Sequence, residues 1–216
     1  MRFDGAGEVF MPVGEELWHN SMKYLPKSVY GSHTSWYSTG GDQLCYTARG
    51  NATEFAAMKE AFLEEMKSVV KAFPDVNNIT ITSEDNANWC QCDACLSEKA
   101  KYGTDSAVVI KFCNAISDML NEWIASNNEG VPNDRNVNIA FFAYNATTEA
   151  PVYKDAVDGK YKPIDFDVIC RDNVFVFYAP IMAMYNENFN SANNAFYLEM
   201  LEKWKACSNK IYLWVY

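Results

Sequence analysis

The chain has 216 residues, 49% of them hydrophobic and 15% aromatic, enough to bury a sizeable core and too apolar for a disordered tail. Eighteen basic residues against 28 acidic ones give a net charge of -10. That balance excludes a nucleic-acid surface, which needs a dense basic patch, and no apolar run reaches the roughly 20 residues of a transmembrane segment.

No apolar core follows Met1-Arg2-Phe3-Asp4-Gly5, so no signal peptide is expected in this stretch. Residues 1–50 are irregular and aromatic, and no strand can be assigned there. The βα repeats begin at residue 51 and run to 216. From Thr53 to Phe73, Phe55, Met58, Phe62, Met66, Val69, Val70 and Phe73 recur at three- and four-residue spacing. This pattern predicts an amphipathic helix capped by Asn51 or Thr53 and stopped by Pro74. Asn78 to Ser83, rich in β-branched residues, reads as a strand. A polar stretch, 84–103, follows it. A second helix is predicted from about Thr104 to Ser126, with Val108, Phe112, Ile116, Leu120 and Trp123 on one face.

The near-continuous apolar run Val137 to Tyr144 has the look of a strand covered on both faces. After a loop containing Pro151 and Pro163, Asp167 to Cys170 is a weak strand candidate and Val174 to Tyr178 a clear one. A helix from about Ala192 to Ala206 and a strand from Ile211 to Val215 complete the series. Alternation of this kind indicates parallel βαβ units. Helix-to-strand links at 74–76 and 208–210 are short, whereas strand-to-helix links at 84–103 and 179–191 are long. That polarity fits a parallel (β/α) TIM-like barrel, whose sites lie on the loops after the strands. Four or five strands are too few for closure, so the barrel is expected to be incomplete in this chain and the remainder to lie in a longer polypeptide. A doubly wound open sheet is the alternative.

Three groups of residues could carry chemistry. Glu84 and Asp85 stand at the carboxyl end of the first strand. Strand alternation turns Ile79 and Ile81 toward the helices, and Thr80, Thr82 and Glu84 to the other side. Paired carboxylates in such a cleft suit general acid/base work, above all glycoside hydrolysis; turn caps or ion pairs are the plainer account. Cys90-x-Cys92-x-x-Cys95, with Cys45 as a fourth ligand, has the donor set of a structural zinc site. Disulfides or free thiols remain open on spacing alone, and no cofactor is expected for catalysis. Trp36, Tyr37, Trp89, Tyr144, Tyr178 and Trp214 fall at strand ends or in loops, where aromatic faces suit sugar rings. Cys113, Cys170 and Cys207 read as core residues.

Several segments together resemble a bacterial family of unknown function whose barrel is akin to those of α-glucuronidases and β-hexosaminidases. They are His19-Asn20 with Leu25-Pro26, Gln43-Leu44-Cys45-Tyr46-Thr47, Asp85-Asn86, and Cys90-Gln91-Cys92-Asp93-Ala94-Cys95. Ala143-Tyr144 with Pro151, Trp204, and Leu213-Trp214-Val215-Tyr216 extend the likeness. The resemblance implies a secreted or envelope-attached protein acting on polysaccharide, and it marks Asp85 more firmly than Glu84. The expectation is a glycoside-hydrolase-like domain with Glu84 or Asp85 as general acid and His19, Asn86, Tyr144, Tyr178 and Trp214 lining a carbohydrate site. A non-catalytic carbohydrate-binding barrel, or a structural domain meeting a partner through its cysteine-stapled loop, are the alternatives.

Overall fold

A computed structural model describes residues 20–126 and 129–215. Two four-residue helices, α1 (Ser21–Tyr24) and α2 (Lys27–Tyr30), lead to a short antiparallel arm in which Tyr37 bridges Leu44. Helix α3 (Ala52–Ala72) starts where the sequence predicts, with the Asn51 side chain accepting from the Thr53 and Glu54 amides. An asparagine in this position satisfies two of the amides that a helix start leaves unpaired. At its other end the Arg135 guanidinium donates to the carbonyls of Val70 (2.6 Å), Phe73 (2.7 Å) and Val76 (2.6 Å). One side chain thus ties the end of α3 and the following turn to the approach of the second strand.

Strand β1 (Asn78–Thr80) is followed by α4 (Asp93–Tyr102) and α5 (Ser106–Ala125), then by β2 (Asn138–Ala143). A hairpin of β3 (Val152–Lys154) and β4 (Tyr161–Pro163) precedes β5 (Val174–Tyr178), α6 (Ala195–Cys207) and β6 (Ile211–Leu213). The main sheet is β1-β2-β5-β6, parallel at every pairing, and Asn20 adds a parallel bridge to Thr82 beside β1. The fold is therefore mixed α/β around a four-stranded parallel sheet, and that sheet does not close on itself among the described residues.

Three sequence expectations are corrected here. The candidate strand 167–170 is instead a 3-10 turn, Phe166–Val168, capped by the Asp165 carboxylate accepting from the Asp167 amide. The polar stretch 84–103 is only partly loop. Its second half is α4, whose helical stripe is cut to Cys95 and Tyr102 because ten residues offer little room for an apolar face. The link from β2 to β5 holds a hairpin where a barrel repeat would have a helix, since 145–173 has no helical apolar periodicity.

Alternation along the strands divides the core. Ile79, Ile81, Ile139, Phe141, Ala143, Val174, Val176 and Tyr178 pack with α3, α5 and α6 in the main cluster. Trp204 of α6 lies edge-on to Phe141, its ring N–H donating to the Thr148 carbonyl at 2.8 Å. The opposite face carries Ala140, Phe175 and Phe177, with the partly buried Phe142, Tyr212 and Trp214 against them. The three helices thus cover one face and strand order follows chain order throughout, whereas a doubly wound sheet has helices on both faces and a reversal of order.

Candidate metal centre and strand-end site

The antiparallel arm 36–45 delivers Cys45 to the loop after β1. Its backbone is fixed by Ser38 N–H to the Gln43 carbonyl (2.8 Å) and Cys45 N–H to the Trp36 carbonyl (2.8 Å). The chain then turns sharply: Ala48, Arg49 and Gly50 have φ of 43°, 49° and 74°. Left-handed backbone costs a non-glycine residue about 1–2 kcal/mol, so two such residues in succession mark a turn that something else must hold. Glycine is favoured at position 50 on two counts, by its φ and because an added Cβ would stand 3.0 Å from the Ala94 Cβ of α4. The turn aims the Arg49 amide at the Cys45 sulfur, 3.1 Å away.

Cys92 stands at the N-cap position of α4 and Cys95 is the third residue of that helix. With Cys90 they meet Cys45, and the four sulfurs lie within 4.8 Å of one another. Cys45 Sγ is 3.8 Å from Cys92 Sγ and 3.7 Å from Cys95 Sγ. A disulfide needs about 2.05 Å, and all seven cysteines are unbridged. A tetrahedron with metal–sulfur bonds of about 2.3 Å has sulfurs about 3.8 Å apart. The cluster therefore has the dimensions to hold a metal ion.

The electrostatics agree with that reading. Cys45 is driven well below the ordinary thiol range by donors from Cys90 and Cys95, helped by the Thr47 hydroxyl and the Arg49 amide. Once Cys45 is ionised, Cys90 is pushed up to about 11 and Cys95 further, each holding its proton against the charge on Cys45. A bound cation would remove that conflict, since thiolates are its ligands. The Thr47 hydroxyl stands 3.3 Å from Cys45 Sγ, 3.2 Å from Cys95 Sγ and 3.8 Å from Cys92 Sγ. The other three cysteines are core residues, as expected: Cys113 and Cys207 are inaccessible and Cys170 nearly so.

The strand-end residues fall into two groups. Ile79 and Ile81 face the helices, and Glu84 lies beyond β1 in the loop that follows it. Its carboxylate is already engaged, Oε2 accepting from Asn20 Nδ2 (2.9 Å) and Oε1 from the Met22 amide at the start of α1 (3.0 Å). Asp85 is exposed. Asn86 is committed to the loop: its amide donates to the Asp42 carbonyl and its Oδ1 accepts from Gln43 and the Asn88 amide. The pairings end at Thr80↔Ala140, Ala143↔Tyr178 and Tyr178↔Leu213, so Glu84, Tyr144 and Trp214 follow the carboxyl ends of β1, β2 and β6 at one edge of the sheet, with Trp214 packed on the face opposite the helices.

Tyr144 and Trp214 flank Phe142, ring centroids 6.4 and 5.3 Å away. Thr147 fixes the turn beyond Tyr144, its hydroxyl donating to the carbonyl of Phe142 or Tyr144 and accepting from the Tyr144 amide. Tyr178 is separate from this group. It is fully buried on the helix side and its hydroxyl donates to the Tyr197 carbonyl, a packing role. His19 lies outside the described residues. Trp36 and Tyr37 are buried, with His33 stacked on Trp36 at 4.0 Å.

Sequence reasoning named Gln43 and Thr47 only within the segment that carries the family resemblance and gave neither a role here. Gln43 is wholly buried. Its Oε1 accepts from the Glu84 amide (2.9 Å) while its Nε2 donates to the Glu84 carbonyl (2.7 Å). A single glutamine amide so pairs with the backbone beyond β1 as a further strand would. Both residues lie within two positions of Cys45.

A parallel α/β sheet with helices on one face and a four-cysteine cluster able to hold a metal ion defines the class of this molecule. The chain belongs to the family described as a domain of unknown function (DUF4838), whose model matches residues 7–216. No curated protein and no solved structure matches it.

Proposed function

We propose that this chain is part of a (β/α) barrel that handles carbohydrate at its strand ends, with a zinc ion in the four-cysteine centre stapling two of the loops. The observation that carries the reading is that Glu84, Tyr144 and Trp214 all follow strand ends at one edge of the parallel sheet, an acidic group and aromatic rings on the same rim. Sugar rings present C–H faces to aromatics and hydroxyls to carboxylates, so such a row suits an oligosaccharide. Strand order following chain order, with the helices on one side, supports the barrel. Zinc is proposed over harder ions because four sulfurs and no oxygen donor select a soft or borderline cation. Its work would be structural, with no position left open for substrate. The secreted or envelope setting belongs to the same proposal.

Within this reading Glu84 and Asp85 have different parts. Both Glu84 oxygens accept hydrogen bonds from Asn20 and Met22, which suits a carboxylate that fixes position. Proton transfer to a leaving group would fall to the exposed Asp85. The engaged state of Glu84 also favours the second reading, a barrel that binds sugar without turning it over. Asp85→Asn and Glu84→Gln in the full-length protein, assayed on aryl glucuronides and N-acetylhexosaminides, separate the two. Loss of a general acid costs about 10²- to 10⁴-fold in rate, so Asp85→Asn is expected to lose turnover and keep oligosaccharide quenching of tryptophan fluorescence. Quenching with no turnover in any variant selects the binding reading. Neither quenching nor turnover ends both.

A further inference from the structure

We propose that the metal centre and the strand-end carboxylate are one mechanical unit joined by Gln43, so that a soft divalent cation on the four cysteines sets the position of Glu84. The inference rests on the reading that these cysteines bind such an ion.

Gln43 and Cys45 are two residues apart on the same extended arm, so their side chains leave it on the same side. Cys45 goes to the sulfur cluster. Gln43 grips both the N–H and the C=O of Glu84, and its Nε2 also reaches Asn86 Oδ1 at 3.1 Å. The loop that Gln43 grips at Glu84 continues to Cys90, Cys92 and Cys95, which close on Cys45. The two segments therefore form a ring, clamped by an amide at one end and by sulfurs at the other. Glu84 in turn holds the Met22 amide and the Asn20 side chain, which extends the unit to the start of α1.

The two clamps differ in strength. Between the arms, the end near Glu84 has hydrogen bonds: those of Gln43, Asn86 to the Asp42 carbonyl, and Asn88 Nδ2 to Asp42 Oδ2 at 2.6 Å. Exchange with water reduces the net worth of each such bond to about 1 kcal/mol. The sulfur end carries the left-handed pair Ala48 and Arg49, whose strain falls on the turn that follows Cys45 and points the Arg49 amide at its sulfur. Without a cation the sulfurs are joined only by weak contacts, Cys45 Sγ lying 3.8 and 3.7 Å from Cys92 and Cys95 Sγ. Only those contacts then oppose the strain of the turn, so the sulfur end opens and the arm that Gln43 shares with Cys45 moves with it. With the ion, metal–thiolate bonds outweigh that strain, and the arm is held where Gln43 meets Glu84.

The test compares zinc-loaded and chelated protein by amide hydrogen exchange at Met22, whose N–H reports on the Glu84 carboxylate, with the β5 amides 174–178 as a control for global folding. Metal analysis comes first: failure to bind zinc or cadmium overturns the metal reading and this inference together. If metal binds, chelation of the wild type is expected to speed Met22 exchange by about tenfold or more while β5 is unchanged. Gln43→Ala should bind zinc with an affinity within about threefold of wild type, yet its Met22 exchange should no longer respond to chelation. An equal response in Gln43→Ala, or no response in the wild type, overturns the coupling and leaves the metal reading standing. Should Gln43→Ala lose β5 protection, Gln43→Glu replaces it. That variant keeps an acceptor for the Glu84 amide and loses the donor to the Glu84 carbonyl, so a smaller response than wild type is expected and an equal one refutes the proposal.

Discussion

Chelation of the four-cysteine centre should lower the melting temperature by an amount that can be worked out in advance. An ion that binds only the folded state stabilises it by about 4.1 kcal/mol when its free concentration is about 1,000 times Kd. Unfolding entropy near 2.1 cal/mol/K per residue gives about 0.45 kcal/mol/K for 216 residues. The expected fall is therefore about 9 °C, read by scanning calorimetry with and without chelator under reducing conditions. The sulfur spacings of 3.7 and 3.8 Å require all four thiolates for a closed tetrahedron. Cys95→Ser should accordingly melt near the chelated value and gain little from added zinc. A thiol reagent at pH 8 should label four cysteines after chelation and few before it. Cys113, Cys170 and Cys207 should stay unlabelled until the protein unfolds, because burial pushes Cys170 and Cys207 up to about 12 and Cys113 well above its ordinary value. A melting temperature indifferent to chelator, together with full labelling of the four thiols in untreated protein, would refute the centre.

Other expectations follow from single side chains. Arg135→Ala leaves three carbonyls at the end of α3 without their charged donor and should cost about 2–4 kcal/mol in urea unfolding, with Arg135→Lys recovering part of the loss. Trp204→Phe empties volume beside Phe141 and strands the Thr148 carbonyl, a combined loss of about 2–4 kcal/mol; a loss under about 0.5 kcal/mol would contradict the packing. The Asp155 carboxyl is held below its ordinary value first by Lys162 and then by the Val157 amide. Its folded pKa being depressed, its contribution to the hairpin is complete above the ordinary carboxylate range and disappears as pH falls through the lower folded value. A carbon-detected titration of Asp155 should show that depression, and Lys162→Met should reduce it to the part the Val157 and Asp158 amides supply.

The long elements were legible because their cause is local. Seven apolar residues at helical spacing, an Asn cap and a Pro stop define α3 without help from the rest of the molecule, and Val174 to Tyr178 reads as strand on composition alone. The alternation that sent Ile79 and Ile81 to the helices also follows from the chain itself. Asp167 to Cys170 failed because four apolar and acidic residues satisfy strand and turn alike, and the Asp165 cap settled the matter in favour of a turn. The hairpin of β3 and β4 was missed since none of its strand residues is buried and the two strands pair with each other, leaving no apolar period to detect.

For the site, residue types and spacing named the four cysteines as a group, because C-x-C-x-x-C with a distant fourth is a donor set whatever the fold. Spacing could not say whether the sulfurs stand bonded or at tetrahedral distance; that depends on how the arm 36–45 crosses the loop after β1, an encounter between residues 45 apart or more. The same crossing brings Gln43 to Glu84, and long-range backbone geometry alone assigns Tyr178 to the packed face and Tyr144 and Trp214 to the open one. Sequence thus decided which side chains alternate and which chemistry they carry. Tertiary structure decided which of them meet, since side-chain direction follows from the local backbone whereas proximity follows from how separate elements pack.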